Sequence, residues 1–149
     1  MNSEELEYIQ RKLFTKPNKE HIEWLEKKNW WNGIHTKFQK YLSKLVPYTH
    51  LVPKPCADDD MRRILGGRGQ MRIVYDNDDI IVNVMEEYEC HSNSKKLMKQ
   101  GKIKQLHIGY ALSTNGLWYQ HSWGIDFDNK IVETTEQRIV YLTSFCWSK

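Results

Sequence analysis

The stretch from Gly109 to Ile125, GYALSTNGLWYQHSWGI, constrains the chain more than any other, because Asn115-Gly116 interrupts two runs of alternating character. Asn-Gly supplies the positive φ angles of a tight hairpin turn, so the two runs are expected to pair as antiparallel strands. A two-residue turn sets Leu112 opposite Tyr119, Tyr110 opposite His121 and Ile108 opposite Trp123. One face then carries Leu106, Ile108, Tyr110, Leu112, Tyr119, His121, Trp123 and Ile125, while the other carries mostly small residues. His121 is thereby expected on the apolar face.

Ile131 to Thr135 reads as the next strand, and its register decides whether Glu133 meets His121. A two-residue turn at Asp128-Asn129 puts Glu133 on the opposite face; an odd-length turn or a bulge between Asp126 and Asn129 brings the two together. Asp126 is the alternative acid.

Upstream, Ser3 with Glu4 and Glu5 marks a helix start, and Leu6, Ile9 and Leu13 keep helical spacing. Pro17 and Asn18 end that helix and open another. From Trp31, the positions Ile34, Phe38, Tyr41, Leu42 and Leu45 form an amphipathic helix that Pro47 stops. Val52 to Gly69, with two prolines, three aspartates and GGRG, reads as an irregular connection. Met71–Tyr75 and Ile80–Val84 read as strands joined by the turn-forming residues 76–79. In YECHSNSKKLMKQGK a short helix is expected, capped by Ser92 or Asn93 and ended by Gly101, with Cys90 at or just before its N-terminus. The expectation is an α+β protein of one domain spanning 1–149. It has a helical part at 1–47, a loop at 52–69 and a sheet-rich, catalytic-like part at 71–149, where a nucleophile-bearing helix packs on an antiparallel sheet.

With 149 residues, 40% hydrophobic and 28% charged, the chain has the profile of a globular protein. Its net charge of +3 comes from interspersed residues, which argues against a nucleic-acid partner. No segment has the roughly 20 apolar residues of a membrane span, and the N-terminus has no signal-peptide core, so a cytoplasmic protein is expected. Cys56, Cys90 and Cys146 are odd in number and lack CxxC spacing, and Cys90, His91, His107 and His121 fit no common zinc pattern. Neither metal nor other cofactor is expected. Oligomeric state is not legible.

Two devices activate a thiol: a helix N-terminus and a histidine that takes the proton. Cys90 has the first, and His121 can supply the second, with Glu133 or Asp126 orienting the imidazole. The Cys90 backbone N–H is a natural oxyanion donor, with a second from Tyr88 or the Gly66 to Gly69 loop. His91 points away from Cys90 on a helix and is expected at the surface or on the substrate side. Tyr110 and Trp123 read first as packing residues beside the site.

A cysteine at a helix start, a histidine on a strand within QHSWG, and an acid on the next strand before threonine (ETT) together resemble the papain-like and transglutaminase-like thiol enzymes. The string CHSN, GYALS, GLW, QHSWG and ETT is also similar to an uncharacterised group of bacterial and phage proteins. The resemblance covers Cys90 to Thr135. It implies a thiol hydrolase or acyltransferase of protease, amidase, deamidase or transglutaminase type, acting on an amide or ester of a protein or peptide substrate, with Cys90, His121 and Glu133 as the triad. The alternative is a non-catalytic binding or inhibitory protein on the same fold. Such sites usually carry aspartate where Glu133 stands, and seldom a histidine after the cysteine.

Overall fold

The computed structural model of the chain describes residues 1–55, 58–75, 79–87 and 89–148. It is an α+β structure. Three helices come first: α1 (Ser3–Lys12), α2 (Lys19–Glu26) and α3 (Gly33–Leu45). An asparagine caps each of them. Asn2 accepts the Glu5 N–H at 2.8 Å, Asn18 that of His21 at 2.7 Å and Asn32 that of Ile34 at 3.0 Å, answering donors a helix start leaves open.

After β1 (His50–Leu51), the region expected to be irregular contains a helix, α4 (Asp58–Arg63), which runs into a π-helical turn at Ile64–Arg68. Three aspartates in its first turn and two arginines in its last complement the helix dipole. There follow β2 (Gln70–Ile73), β3 (Ile80–Val82), α5 (Cys90–Lys99), β4 (Gln105–Leu112), β5 (Leu117–Ile125), β6 (Ile131–Glu133) and β7 (Val140–Ser148). The sheet order is β2-β7-β4-β5-β6-β3, with β1 alongside β5. β2 and β3 are therefore not a hairpin. They are the two edges of the sheet, yet only residues 74–79 separate them in sequence, so the sheet must curl to bring its edges together. Pairing is antiparallel except at β1/β5 and β3/β6.

The hairpin is present, but its register differs from the expected one by one residue. Gly109 lies opposite His121, Tyr110 opposite Gln120 and Leu112 opposite Trp118. The loop has three residues, Thr114 to Gly116. The Gly116 N–H bonds the Ser113 carbonyl at 3.0 Å, Ser113 and Leu117 close the loop, and Gly116 takes φ 80°, which glycine alone adopts without a Cβ penalty. The shift separates two sets of side chains expected to share a face. Tyr110, Leu112 and Trp118 pack with Phe38 and Leu42 of α3, the Phe38 and Tyr110 rings lying 4.9 Å apart. Ala111, Trp123, Ile125, Ile131 and Tyr141 form a second cluster on the opposite face, and His121 lies with them. Each fully buried Phe or Leu contributes about 1.5–3 kcal/mol, so both faces of this sheet are stabilising.

Gly109 faces His121 at a bulge where β4 meets β7. A Cβ there would lie 2.0 Å from the Leu142 carbonyl oxygen, so no other residue fits without moving β7.

Candidate functional site

The site forms where the outer edge of β5 lacks a partner strand. Because Ser113 and Leu117 exchange a ladder bond, the odd residues of β5 bond β4 and the even ones turn their backbone groups outward. β1 covers that edge at residues 117–118 and β6 at 124–125. The first residue of α5, Cys90, fills the gap, its thiol receiving the outward N–H of Ser122.

Glu133 reaches the same place because the β5–β6 turn is odd in length. Ile125 pairs with Ile131 across the loop Phe127 to Asn129, with Asn129 at φ 62°, so residues 121, 123, 125, 131 and 133 share one face. Asp126 is not the orienting acid. Its carboxylate holds the turn, accepting the N–H groups of Asp128 and Lys130 at 2.9 Å each.

His121 Nε2 lies 2.8 and 2.9 Å from the two carboxylate oxygens of Glu133, which leaves Nδ1 for its hydrogen bond with the Cys90 thiol. Burial pushes the thiol pKa up, but the bond to His121, the imidazole charge and the Ser122 N–H outweigh it and hold Cys90 below an ordinary thiol. Burial alone would lower the pKa of His121; its bonds to Cys90 and Glu133 raise it instead. For Glu133, burial works to raise the pKa and is overcome by His121, the Tyr141 hydroxyl and the Arg138 charge, so the carboxylate stays ionised.

Glu133 has no exposed surface, and a buried charge persists only if donors answer it. Besides His121, the Tyr141 hydroxyl donates to Oε1 at 2.6 Å, while Oε2 receives the Thr134 and Thr135 N–H groups at 3.1 and 3.3 Å and the Thr135 hydroxyl at 3.3 Å. The Arg138 N–H bonds the Tyr141 oxygen at 3.3 Å, which leaves the phenol proton for Glu133. Sequence inspection missed Tyr141. The β-prone run Val140, Tyr141, Leu142, Thr143 marks a strand, but nothing in it marks Tyr141 as a partner of Glu133.

Trp123 stacks 5.9 Å from the His121 ring at 27° and forms one wall of its pocket, as a packing residue beside the site. Tyr110 does not belong to the site: it sits on the opposite face, against Phe38. His91 is half-buried on that same opposite face, where its Nδ1 bonds the Ser122 hydroxyl. Tyr88 and Cys56 lie outside the described residues. Gly66 and Gly67 belong to the π-helical turn that, with Gly69, leads into β2, which β7 and β4 separate from β5. His107 is bonded to Thr143 and Gln105, and burial followed by Arg72 lowers its pKa to about 4. Among the described residues no group of three or more His, Cys, Asp or Glu side chains is placed to hold a metal ion, and no helix is long and apolar enough to cross a membrane.

No Ser92 or Asn93 cap forms on α5. Asn93 donates to the Glu86 carbonyl at 2.7 Å, and no side chain caps the N–H groups at the helix start, where Cys90 stands. The arrangement joins a thiol of depressed pKa, an imidazole and a buried carboxylate in one hydrogen-bonded series. Compared with family models, curated proteins and solved structures, the sequence finds no match.

Proposed function

We propose that the chain is a thiol hydrolase or acyltransferase of papain-like or transglutaminase-like type, acting on an amide or ester bond of a protein or peptide in the cytoplasm. The observation that carries this is the fully buried Glu133 carboxylate closing on an imidazole that is itself bonded to a thiol of depressed pKa.

In this scheme His121 takes the Cys90 proton as sulfur attacks the carbonyl carbon, and Glu133 stabilises the imidazolium. The Cys90 N–H faces the oxyanion. Collapse of the tetrahedral intermediate breaks the bond to the leaving amine or alcohol, which takes the proton from His121 and leaves a thioester. Water or an amine, deprotonated by His121, then releases the acyl group and restores the thiol.

Mixing the protein with p-nitrophenyl acetate tests the scheme. A burst of p-nitrophenolate should accompany a single acetyl group that peptide mapping places on Cys90, and both should vanish in Cys90→Ser. Acetylation spread over lysines and unaffected by Cys90→Ser would favour a non-catalytic binding protein instead.

A further inference from the structure

On the face of the sheet away from His121, several apolar positions are left partly uncovered. Ile108 lies in the middle of β4, which has strands on both sides, yet it is half-exposed and belongs to none of the apolar clusters. A central strand normally buries such a residue. Its cross-strand neighbours are Ser122 on β5 and Phe145 on β7, and Phe145 is 39% exposed.

Helices wall this row on both sides. From α4, Asp60 accepts bonds from Gln120 and Ser144 at 2.7 Å each, and Arg63 lies 5.3 Å over the Phe145 ring. From α5, His91 bonds Ser122, and Lys95 lies 5.9 Å over Trp147, which is 45% exposed. The groove crosses two strand spacings, about 10 Å, from the edge of β5 to β7. At its β5 end, Ser122, fully buried and bonded to His91, is the residue whose N–H holds the Cys90 thiol. The Asp60 charge is matched by Arg63 at 3.4 Å, whereas Lys95 stands over Trp147, and both Lys54 and Lys95 add to the lowering of the His91 pKa by burial. With Asp60 and Arg63 matched, the charge left over is that of the lysines and is positive.

We propose that the groove between α4 and α5 is the substrate seat of the Cys90 site, and that it takes an extended peptide segment with an aromatic side chain next to an acidic one. The aromatic ring stacks on Phe145 and Trp147, and the carboxylate meets Arg63 and Lys95. The substrate class rests on the thiol-enzyme proposal; the groove itself does not.

The test is NMR titration of the full chain with N-acetyl-Phe-Asp amide and with its Phe-Lys counterpart. The Phe-Asp peptide should shift the signals of Ile108, Phe145 and the Trp147 indole, and bind about three- to fivefold tighter, the value of an exposed ion pair. The double variant Arg63→Glu/Lys95→Glu should reverse the preference. Equal affinities, shifts elsewhere, or an unchanged preference in the variant would overturn the groove. If that variant does not fold, Phe145→Ala decides: weakened binding supports the groove and undiminished binding overturns it. Chloroacetyl-Phe-Asp amide separates the two proposals. Binding in the groove with an inert Cys90 would sink the thiol enzyme alone. A Cys90 alkylated equally fast by the Phe-Asp and Phe-Lys reagents would sink the groove alone.

Discussion

Glu133 and Asp60 are carboxylates buried against opposite faces of the same sheet, at 0% and 8% exposure, and they are answered by different chemistry. Asp60 meets an amide, a hydroxyl and a guanidinium: Gln120, Ser144 and, at 3.4 Å, Arg63. None of these gives up a proton near neutral pH. Glu133 meets two backbone amides and a hydroxyl as well, but its closest partners are an imidazole and a phenol. Burial compels both acids to find donors, and the kind of donor decides whether a proton can move. Only beside Glu133 does the chain leading outward from the acid end on a nucleophile.

The largest difference should appear on deleting the acid. Glu133→Ala leaves His121, Tyr141 and two N–H groups without their acceptor, and should cost about 3–5 kcal/mol in urea unfolding. A cost below about 1 kcal/mol would mean that the pair is not formed. Glu133→Gln fills the space but supports the imidazolium poorly, so Cys90 alkylation near pH 6.5 should slow by about tenfold or more, one pKa unit of lost stabilisation.

Tyr141→Phe should have an intermediate effect. It keeps the ring, whose centroid lies 4.9 Å from that of Trp123, and removes one bond to a charged acceptor, worth about 1.5–3 kcal/mol. The sign with pH follows from Glu133, whose folded pKa is depressed. Its contribution is present above the unfolded value of about 4.3 and is lost as pH falls through the folded value. Without the phenol the folded value rises toward the unfolded one, so the acid loss of this contribution should still begin at about 4.3 but be smaller, and complete at a higher pH, in Tyr141→Phe than in the parent. His121, with its raised pKa, acts in the opposite sense: its contribution is full below about 6.5 and disappears as pH rises through the folded value.

The smallest effect should come from Asp60→Asn. The asparagine oxygen can still accept from Ser144, and the Gln120 amide can turn to meet its NH₂ group, so stability should fall by about 1 kcal/mol. The pH midpoint of Cys90 alkylation should move far less than in Glu133→Gln. A larger shift from Asp60 than from Glu133 would reverse the comparison.

Local chemistry made much of this legible in the sequence. Asn115-Gly116 marks the hairpin, Pro47 follows the end of α3, and Cys90 opens α5 as its surroundings suggest. The hairpin register was not legible, because an alternation test needs one polar face and β4 and β5 are buried on both. Tyr110 was drawn toward His121 for that reason. The β5–β6 turn was left open between two lengths, since Asp128 and Asn129 suit either; the positive φ of Asn129 and the two N–H bonds that the Asp126 carboxylate accepts settle it. The α4 helix was hidden by its flanking prolines and by GGRG, although the acidic start and basic end of residues 58–63 spell a helix. Tyr141 depends on β7 packing beside β4, a contact between distant parts of the chain that no local pattern encodes.

Activation of Cys90 by His121, itself held by Glu133, is read out most directly by the pH dependence of iodoacetamide alkylation at individual cysteines. Mass mapping of the three thiols between pH 5 and 9 should show Cys90 reacting well below the ordinary thiol range of about 8.5, faster than Cys56 and Cys146. In His121→Ala the acid-side reactivity of Cys90 should collapse, by about a hundredfold at pH 6.5. Three thiols with one common profile, unchanged by His121→Ala, would contradict the account.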